Sequence, residues 1–292
     1  MSMVSSPLVE CVPNFSEGRN PEKVAQIAAA ISAVERACVL DTHIDPDHNR
    51  SVITFVAPPE TVVAAAVNAV RRASELIDMR THQGEHPRIG ATDVLPLVPV
   101  RGVTMDDCVR LAHEAGAIIA RDLSIPVYFY ERAALREERV NLEDVRSGAT
   151  SRDYTPDISP THRHESAGAI VVGARPFLIA FNVILRTDDI TIARQIARTI
   201  RARNGGLQFV KALGFRLHTR GLVQVSMNLV NYEVTGMTAV YNAIKRETDR
   251  LGVAIDSTEI VGLVPRAALD RTAPFFSESK ILEHLIDQCS PV

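Results

Sequence analysis

Residues 38–77 read CVLDTHIDPDHNRSVITFVAPPETVVAAAVNAVRRASELI, and the fold can be worked out from this stretch. Two apolar segments, Cys38–Leu40 and Ser51–Val56, are separated by a polar loop at residues 45–50, which predicts two strands joined by a turn. An alanine- and valine-rich segment follows two prolines and predicts a helix from about Glu60 to Ile77. The stretch therefore supplies the order strand, strand, helix.

The flanking sequence extends this order in both directions. A short apolar strand is predicted at Leu8–Val12, and a helix opens at Pro21 with apolar residues spaced three or four positions apart. After a loop rich in glycine and proline comes a further strand, Val94–Val100, and the helix Met105–Ala120 and the strand Val127–Tyr130 extend the pattern. Up to Val94–Val100 the order is β-α-β-β-α-β, which is typical of ferredoxin-like domains.

The second half of the chain repeats the order without repeating the sequence. Its predicted elements are the strand Phe177–Leu185, the helix Ile190–Arg203, the strands Val210–Leu217 and Leu222–Leu229, the helix Met237–Leu251 and the strand Val253–Ile255. We therefore predict an α+β protein of two ferredoxin-like lobes, residues 1–176 and 177–292, with a seam in Arg146–Gly168. Since an open sheet must bury its apolar face against another layer, we expect the two sheets to face each other across a ligand groove.

Charge and composition exclude several classes of protein. The 32 Lys and Arg are balanced by 35 Asp and Glu, so no basic excess exists to bind nucleic acid. The most apolar helical stretch, Thr61–Val70, is too short to cross a bilayer. The four cysteines are scattered without a Cys-x-x-Cys pair, and no signal peptide is visible, so we expect reduced thiols in a cytoplasmic protein. They are Cys11, Cys38, Cys108 and Cys289.

Three polar clusters are candidates for chemistry. Residues 81–90 read THQGEHPRIG, and Gly84 and Pro87 argue against the helix that two histidines at i, i+4 would need to bind a metal. This loop suits either a general acid/base histidine or a turn that caps a helix. Residues 41–50, DTHIDPDHNR, could position a catalytic group, bind a cation or form a solvated turn. Residues 160–168, PTHRHESAG, suit an anionic or flat heteroaromatic ligand, or a flexible linker.

Three longer motifs carry a resemblance that covers nearly the whole chain. They are VECVPNFSEG at 9–18, GEHPRIGA at 84–91 and GARPFLIAFN at 173–182, and they resemble the glutamate formimidoyltransferase family. Members occur alone in bacteria and as the N-terminal part of a bifunctional formimidoyltransferase–cyclodeaminase in animals. The resemblance implies transfer of a formimino group from N-formimino-L-glutamate to N5 of tetrahydrofolate, with tetrahydrofolate as co-substrate, no metal, and a cytoplasmic homodimer.

The resemblance also implies roles for single residues. The Gly-Glu-His-Pro-Arg motif places the family's catalytic histidine at His86, and His43 stands where animal relatives carry an acidic residue, so Asp41 or Asp45 could orient the base instead. Arginine forks such as Arg50, Arg88 or Arg163 suit the substrate carboxylates. The expected substrate-binding residues are His43, Arg50, Arg88, Ser159, Pro160, Thr161, His162, Arg163, His164, Glu165, Ser166, Ala167 and Gly168.

Three other functions compete with this one. The same groove could process 5-formyltetrahydrofolate, or the protein could bind folate without turnover. A metal-dependent formiminoglutamate hydrolase is the remaining alternative, and it would need a cluster of carboxylates and histidines. An intact motif around His86 favours the enzymes over a carrier.

Overall fold

The computed structural model describes residues 6–84, 88–149, 155–162 and 164–289. The chain divides into two compact units, one made of Met1–Arg175 with Ile286–Val292 and the other of Pro176–Leu285. Each unit combines helices with a β-sheet, so the predicted α+β class is confirmed. The C-terminal segment from Ile286 groups with the first unit, although the sequence placed it with the second.

The first unit is built on a seven-stranded mixed sheet. Its elements are β1 (Leu8–Cys11), β2 (Asn14–Phe15), α1 (Pro21–Ser32), β3 (Cys38–Asp45), β4 (Arg50–Ala57), α2 (Pro59–Leu76), β5 (Thr92–Arg101), α3 (Met105–Leu123), β6 (Val127–Glu131), α4 (Leu142–Ala149) and β7 (Ile170–Ala174). Strands β1 and β2 lie between β4 and β5 and are antiparallel to both. Strand β7 runs parallel to β5 and β6, and β3 forms a hairpin with β4.

The helices of the first unit form at clear sequence signals. Asn20 caps α1 by accepting hydrogen bonds from two backbone N–H groups, and Thr104 and Asp107 form a capping box at α3. The apolar stripes of α1, α2 and α3 then join the sheet in one core, as Ile27 and Ile119 do with Phe55. This packing removes the apolar helix faces from water and supports the loops at the strand ends.

The second unit has the predicted β-α-β-β-α-β order. Its elements are β8 (Ile179–Leu185), α5 (Ile190–Ile200), β9 (Val210–Leu217), β10 (Leu222–Leu229), α6 (Met237–Leu251) and β11 (Ile255–Val261), and α7 (Leu282–Gln288) follows them. All pairings are antiparallel in the strand order β11-β8-β10-β9. Phe181 and Val225 on the sheet and Ile196 and Ile244 on the helices are buried in its core.

Three local features differ from the sequence prediction. The β3–β4 hairpin is longer than expected, since Asp45 pairs with Arg50 and only the residues between them turn. The segment predicted as a structureless seam contains the end of α4, and β7 follows it as an inner strand of the first sheet. The described helices include none that is both long and apolar enough to span a membrane.

The cysteines also differ from expectation. Cys38, at the start of β3, and Cys289, just after α7, form a disulfide across a separation of 251 residues, so the prediction of four reduced thiols is wrong for this pair. Sequence spacing could not reveal it, because only the folded chain brings the two residues together. Cys11 and Cys108 are free and buried, and burial raises the pKa of Cys108 to about 12.

Candidate functional site

A recess in the first unit collects polar side chains from four separate segments. Its walls come from β2 and the residue after it, from the end of the β3–β4 turn, from the residue that follows the 85–87 segment and from the start of β5. The lining residues are Phe15, Ser16, Asn49, Arg50, Arg88 and Asp93. Two arginines predicted from the sequence to bind substrate therefore share one recess.

Arg50 is a strongly perturbed cation of this recess. The pKa of Arg50 is lowered to about 10, mainly by burial and also by the charges of Arg146 and Arg88, while Asp93 and Asp45 act in the opposite direction. Its Nη2 donates a hydrogen bond to Oδ1 of Asn14. Its Nε is shielded from solvent and has no hydrogen-bond acceptor among the described residues. An N–H group in this state provides a donor for an anionic ligand.

The N-terminal flank of residues 85–87 is held by Asn49. The side-chain amide of Asn49 donates to the carbonyl oxygen of Gln83 at 2.8 Å, and its Oδ1 accepts from the backbone N–H of Gly18 at 3.0 Å. Asn49 has a φ of +48°, a left-handed conformation that asparagine tolerates better than most residues. His86 lies outside the described residues, but the chain that leads to it is fixed at the rim of the recess.

The C-terminal flank is held by Asp93. Its Oδ1 accepts from the backbone N–H of Ile89 at 2.9 Å, and its Oδ2 accepts from Nη2 of Arg146 on α4. The carbonyl oxygen of Ile89 in turn accepts from the N–H of Ala169 at 2.9 Å. Both sides of the 85–87 segment are therefore tied to other parts of the first unit.

The predicted folate-binding segment reaches the same loop through its second half. The carbonyl oxygen of Ser166 accepts from Met79 N–H, and that of Ala167 accepts from Ala91 N–H, each at 2.8 Å. Gly90 and Gly168 pair in an isolated β-bridge. A Cβ on Gly90 would lie 1.9 Å from a backbone oxygen, so glycine here allows two chain segments to approach each other.

The remainder of the predicted folate-binding segment is placed as follows. The ring of His164 accepts hydrogen bonds at Nδ1 from the N–H groups of Ser166 and Ala167. Arg163 lies outside the described residues. Exposed side chains in the segment belong to Ser159, Thr161, His162 and Glu165, and Pro160 is half-buried.

The histidines of the β3–β4 hairpin have different surroundings. His48 is buried, and its Nδ1 lies 2.5 Å from Oδ2 of Asp45, whose Oδ1 accepts the backbone N–H of the same histidine. Burial acts to raise the pKa of Asp45, but these hydrogen bonds from His48 outweigh it and leave that pKa below its ordinary value. His43 is half-buried on β3, opposite Val52 of β4. Asp45 therefore orients His48.

His82 is paired with Arg88. An Nη1 of Arg88 lies 2.7 Å from Nδ1 of His82, and burial together with the arginine charge lowers the pKa of His82. Because arginine can only donate, this nitrogen of the imidazole accepts and the ring is neutral. Within the part of the chain that the structure describes, no three His, Cys, Asp or Glu side chains are grouped as a metal site would require.

Sequence reasoning missed Asp93 and Arg146, and it included Asn49 only as a member of the polar cluster at residues 41–50. The signal for Asp93 is a single carboxylate at the start of a buried apolar strand, a position where a charged side chain needs a partner. Nothing in the sequence indicates that this partner is Arg146, which is 53 positions away.

Comparison with known proteins adds an independent finding. Residues 8–175 match the N-terminal subdomain of the formiminotransferase domain, and residues 180–289 match the formiminotransferase domain. The chain is 44% identical to a glutamate formimidoyltransferase of Thermoplasma acidophilum over 97% of its own length and 98% of that protein. It is 42% identical to a glutamate formimidoyltransferase of Streptococcus pyogenes, covering 92% and 93% of the two chains.

A bifunctional relative matches over part of its length only. The formimidoyltransferase-cyclodeaminase of Rattus norvegicus is 43% identical over 95% of this chain and 54% of the rat protein. The two matched family regions together span most of the sequence, in the expected order. On this evidence the chain belongs to the formiminotransferase domain family.

Proposed function

We propose that this protein is a transferase that moves the formimino group of N-formimino-L-glutamate to N5 of tetrahydrofolate. The products are 5-formiminotetrahydrofolate and L-glutamate. The observation that carries the proposal is the identity of 44% and 42%, over nearly the full length of both partners, to two glutamate formimidoyltransferases. Tetrahydrofolate is a co-substrate in this scheme and is consumed in each turnover.

His86 acts as the general acid/base in the proposed mechanism. N5 of tetrahydrofolate attacks the amidine carbon, and His86 accepts the proton that this nitrogen loses. The tetrahedral intermediate then collapses, the bond from carbon to the glutamate nitrogen breaks, and the histidine returns the proton to the departing amine. The proton inventory balances with one imidazole. The anchoring of Gln83 and Ile89 on the two sides of this histidine supports the role, since proton transfer requires a fixed base.

Arg50 and Arg88 bind carboxylates of the substrates in this proposal, together with Arg163 and His43. Support comes from the buried Nε of Arg50, which has no acceptor among the described residues, and from the position of both guanidinium groups at one recess. Planar arginine forks match carboxylates in geometry and charge. The segment Ser159–Gly168 binds the folate, and its support is the attachment of Ser166 and Ala167 to the loop that carries His86. A homodimer in the cytoplasm completes the proposal.

The test is incubation of the purified protein with formiminoglutamate and tetrahydrofolate. We expect L-glutamate and 5-formiminotetrahydrofolate to appear in equal amounts, with no glutamate released when folate is omitted. Release of L-glutamate in the absence of folate would establish a hydrolase. Consumption of 5-formyltetrahydrofolate in place of formiminoglutamate would establish a different folate reaction. Folate binding without turnover would leave a carrier. Dialysis against a chelator should leave activity intact, and its loss with recovery on zinc would contradict the proposed chemistry.

The folate segment can be tested separately by calorimetric titration. Replacing Arg163 and His164 together by Ala should weaken the binding of folate by about 1–3 kcal/mol, which is the scale of lost hydrogen bonds to charged groups. The binding of formiminoglutamate should weaken by less. Because the His164 ring holds the N–H groups of Ser166 and Ala167, the single variant Arg163→Ala separates lost contact from a loosened segment. Arg110→Gln, an exposed change on α3, is the control. Unchanged folate affinity in folded variants would place the folate site elsewhere.

A further inference from the structure

Asp93 and Arg146 form an ion pair in an unusual position. The side chain of Asp93 is 4% exposed and that of Arg146 is 15% exposed, and Oδ2 of the carboxylate accepts from Nη2 of the guanidinium. Removing two charges from water is costly, and apolar residues of similar volume would often be as stable. A pair kept at this cost, beside a polar recess, suggests a role beyond stability.

The geometry of the carboxylate indicates what that role is. The two carboxylate oxygens of Asp93 accept from different partners. Oδ1 accepts the backbone N–H of Ile89, and Oδ2 accepts Nη2 of Arg146. Ile89 lies two residues after Pro87, the end of the segment that contains His86. The orientation of Asp93 is therefore fixed by α4 on one side, and the carboxylate fixes the C-terminal flank of the histidine segment on the other.

The charges around the pair make both members necessary. Burial is the main cause of the lowered pKa of Arg50 and the charge of Arg146 adds to it, while Asp93 is the carboxylate that opposes the shift most strongly. Nε of Arg146 is buried and has no acceptor among the described residues, so the position of its guanidinium depends on the contact of Nη2 with Asp93. Neutralising Asp93 would leave the arginines of the recess without this compensation and free Arg146 to move.

We propose that Asp93 and Arg146 are positioning residues for the proposed reaction. Arg146 orients Asp93, and Asp93 holds the N–H of Ile89, which fixes the C-terminal flank of the segment that contains His86. This inference rests on the proposed function for the role of His86, but the coupling of the pair to the loop can be measured without turnover. Small displacements of a catalytic group are enough to cost about a hundredfold in rate.

The test uses Asp93→Asn, Arg146→Gln, Arg146→Lys and the double variant Asp93→Asn/Arg146→Gln in the full chain. Asparagine keeps an acceptor for Ile89 but loses the charge that holds Arg146. Transfer assays should show kcat lowered tenfold to a hundredfold, with KM for both substrates within about threefold. Arg146→Lys, which keeps the charge, should recover part of kcat. The double variant should be little worse than either single one, because both changes break the same interaction.

Two measurements make the result independent of turnover. Hydrogen exchange of the peptide that contains Ile89 should be at least about tenfold faster in Asp93→Asn and Arg146→Gln than in the wild type. The His86 imidazole, assigned by loss of its NMR signal in His86→Ala, should titrate at a different pH in these variants. Failure of the proposed function would appear as a wild type with no transfer activity, with these two measurements still available.

A second buried ion pair provides the matched control. Nη1 of Arg139 lies 2.5 Å from Oδ1 of Asp157, and both side chains are at most 2% exposed. Arg139→Gln should lower the melting temperature without changing exchange at Ile89 or the titration of His86. If Asp93→Asn lowers stability but leaves the Ile89 exchange, the His86 titration and kcat as in the wild type, the pair is only structural and the proposal is overturned.

Discussion

The side-chain amide of Asn49 donates to the carbonyl oxygen of Gln83 at 2.8 Å, which joins the β3–β4 turn to the loop that carries His86. The two residues are 34 positions apart, so the contact is made by the fold and not by local sequence. Since Asn49 also accepts from Gly18, one buried side chain connects three segments of the first unit.

This contact gives the first prediction. Asn49→Gly keeps the left-handed backbone and removes both hydrogen bonds, so the free energy of unfolding should fall by about 1–3 kcal/mol. The loop should also lose its anchor, and kcat for formimino transfer should fall by about tenfold or more. Urea denaturation and steady-state kinetics measure the two effects.

The control for Asn49 is Asn20, which caps α1 with two similar hydrogen bonds. Asn20→Ala should cost about 1 kcal/mol in stability and leave kcat unchanged. Equal kinetic effects of the two substitutions would mean that Asn49 acts only through global stability.

The second prediction separates the two histidines of the loop. His86→Ala should lower kcat by about 10²–10⁴-fold with a smaller effect on folate affinity, because it removes the proposed acid/base. His82→Ala is the matched change, and it should be much milder, since the ring of His82 accepts from Arg88 and stays neutral. Turnover in His86→Ala above about a third of the wild-type value would remove this histidine from the role.

Most of the fold could be predicted from the sequence, because helices and strands leave local patterns of apolar residues. Apolar spacing indicated α1, α2 and α3. Nearly every strand of the second unit coincides with an apolar run that lies between turn residues. Strand β7 was missed because its five residues follow a polar segment and end in Gly173-Ala174, which mimics a loop.

The candidate site was predicted less completely. The position of His86 and the choice of Arg50 and Arg88 came from motifs and from the chemistry of carboxylates. The contact between Asp93 and Arg146 could not be predicted, because it joins a strand to a helix that is distant in sequence. Periodicity assigns a residue to an element, but the partner of a buried charge depends on how the elements pack.

The third prediction concerns the disulfide of Cys38 and Cys289, which ties the C-terminal segment to the start of β3. Reduction should lower the free energy of unfolding by about 2–4 kcal/mol, since a cross-link over a long loop restricts the unfolded chain. Cys289→Ser should show the lower stability without reductant and no further change with it. Cys108→Ala, at a free buried cysteine, should keep the response to reductant. A wild type that melts identically with and without reductant would contradict the pairing in solution.

The fourth prediction follows from the pair of Asp45 and His48. The pKa of Asp45 is below its ordinary value in the folded protein, because hydrogen bonds from His48 outweigh the effect of burial. A carboxyl group with a depressed folded pKa contributes stability that is fully present above its unfolded value, about 3.9, and is lost as pH falls through the folded value. The free energy of unfolding of the wild type should therefore fall steeply as pH drops below about 4.

Asp45→Asn removes the titrating group, so its unfolding free energy should be lower at neutral pH and should change less with acid than that of the wild type. Asp106→Asn, at an exposed carboxylate on α3, should follow the wild-type curve. Urea denaturation at a series of pH values between about 2.5 and 6 measures the difference. Parallel curves for the wild type and Asp45→Asn would show that the hydrogen bonds from His48 do not favour the ionised carboxylate, and the turn that carries Asn49 would then owe its geometry to the backbone alone.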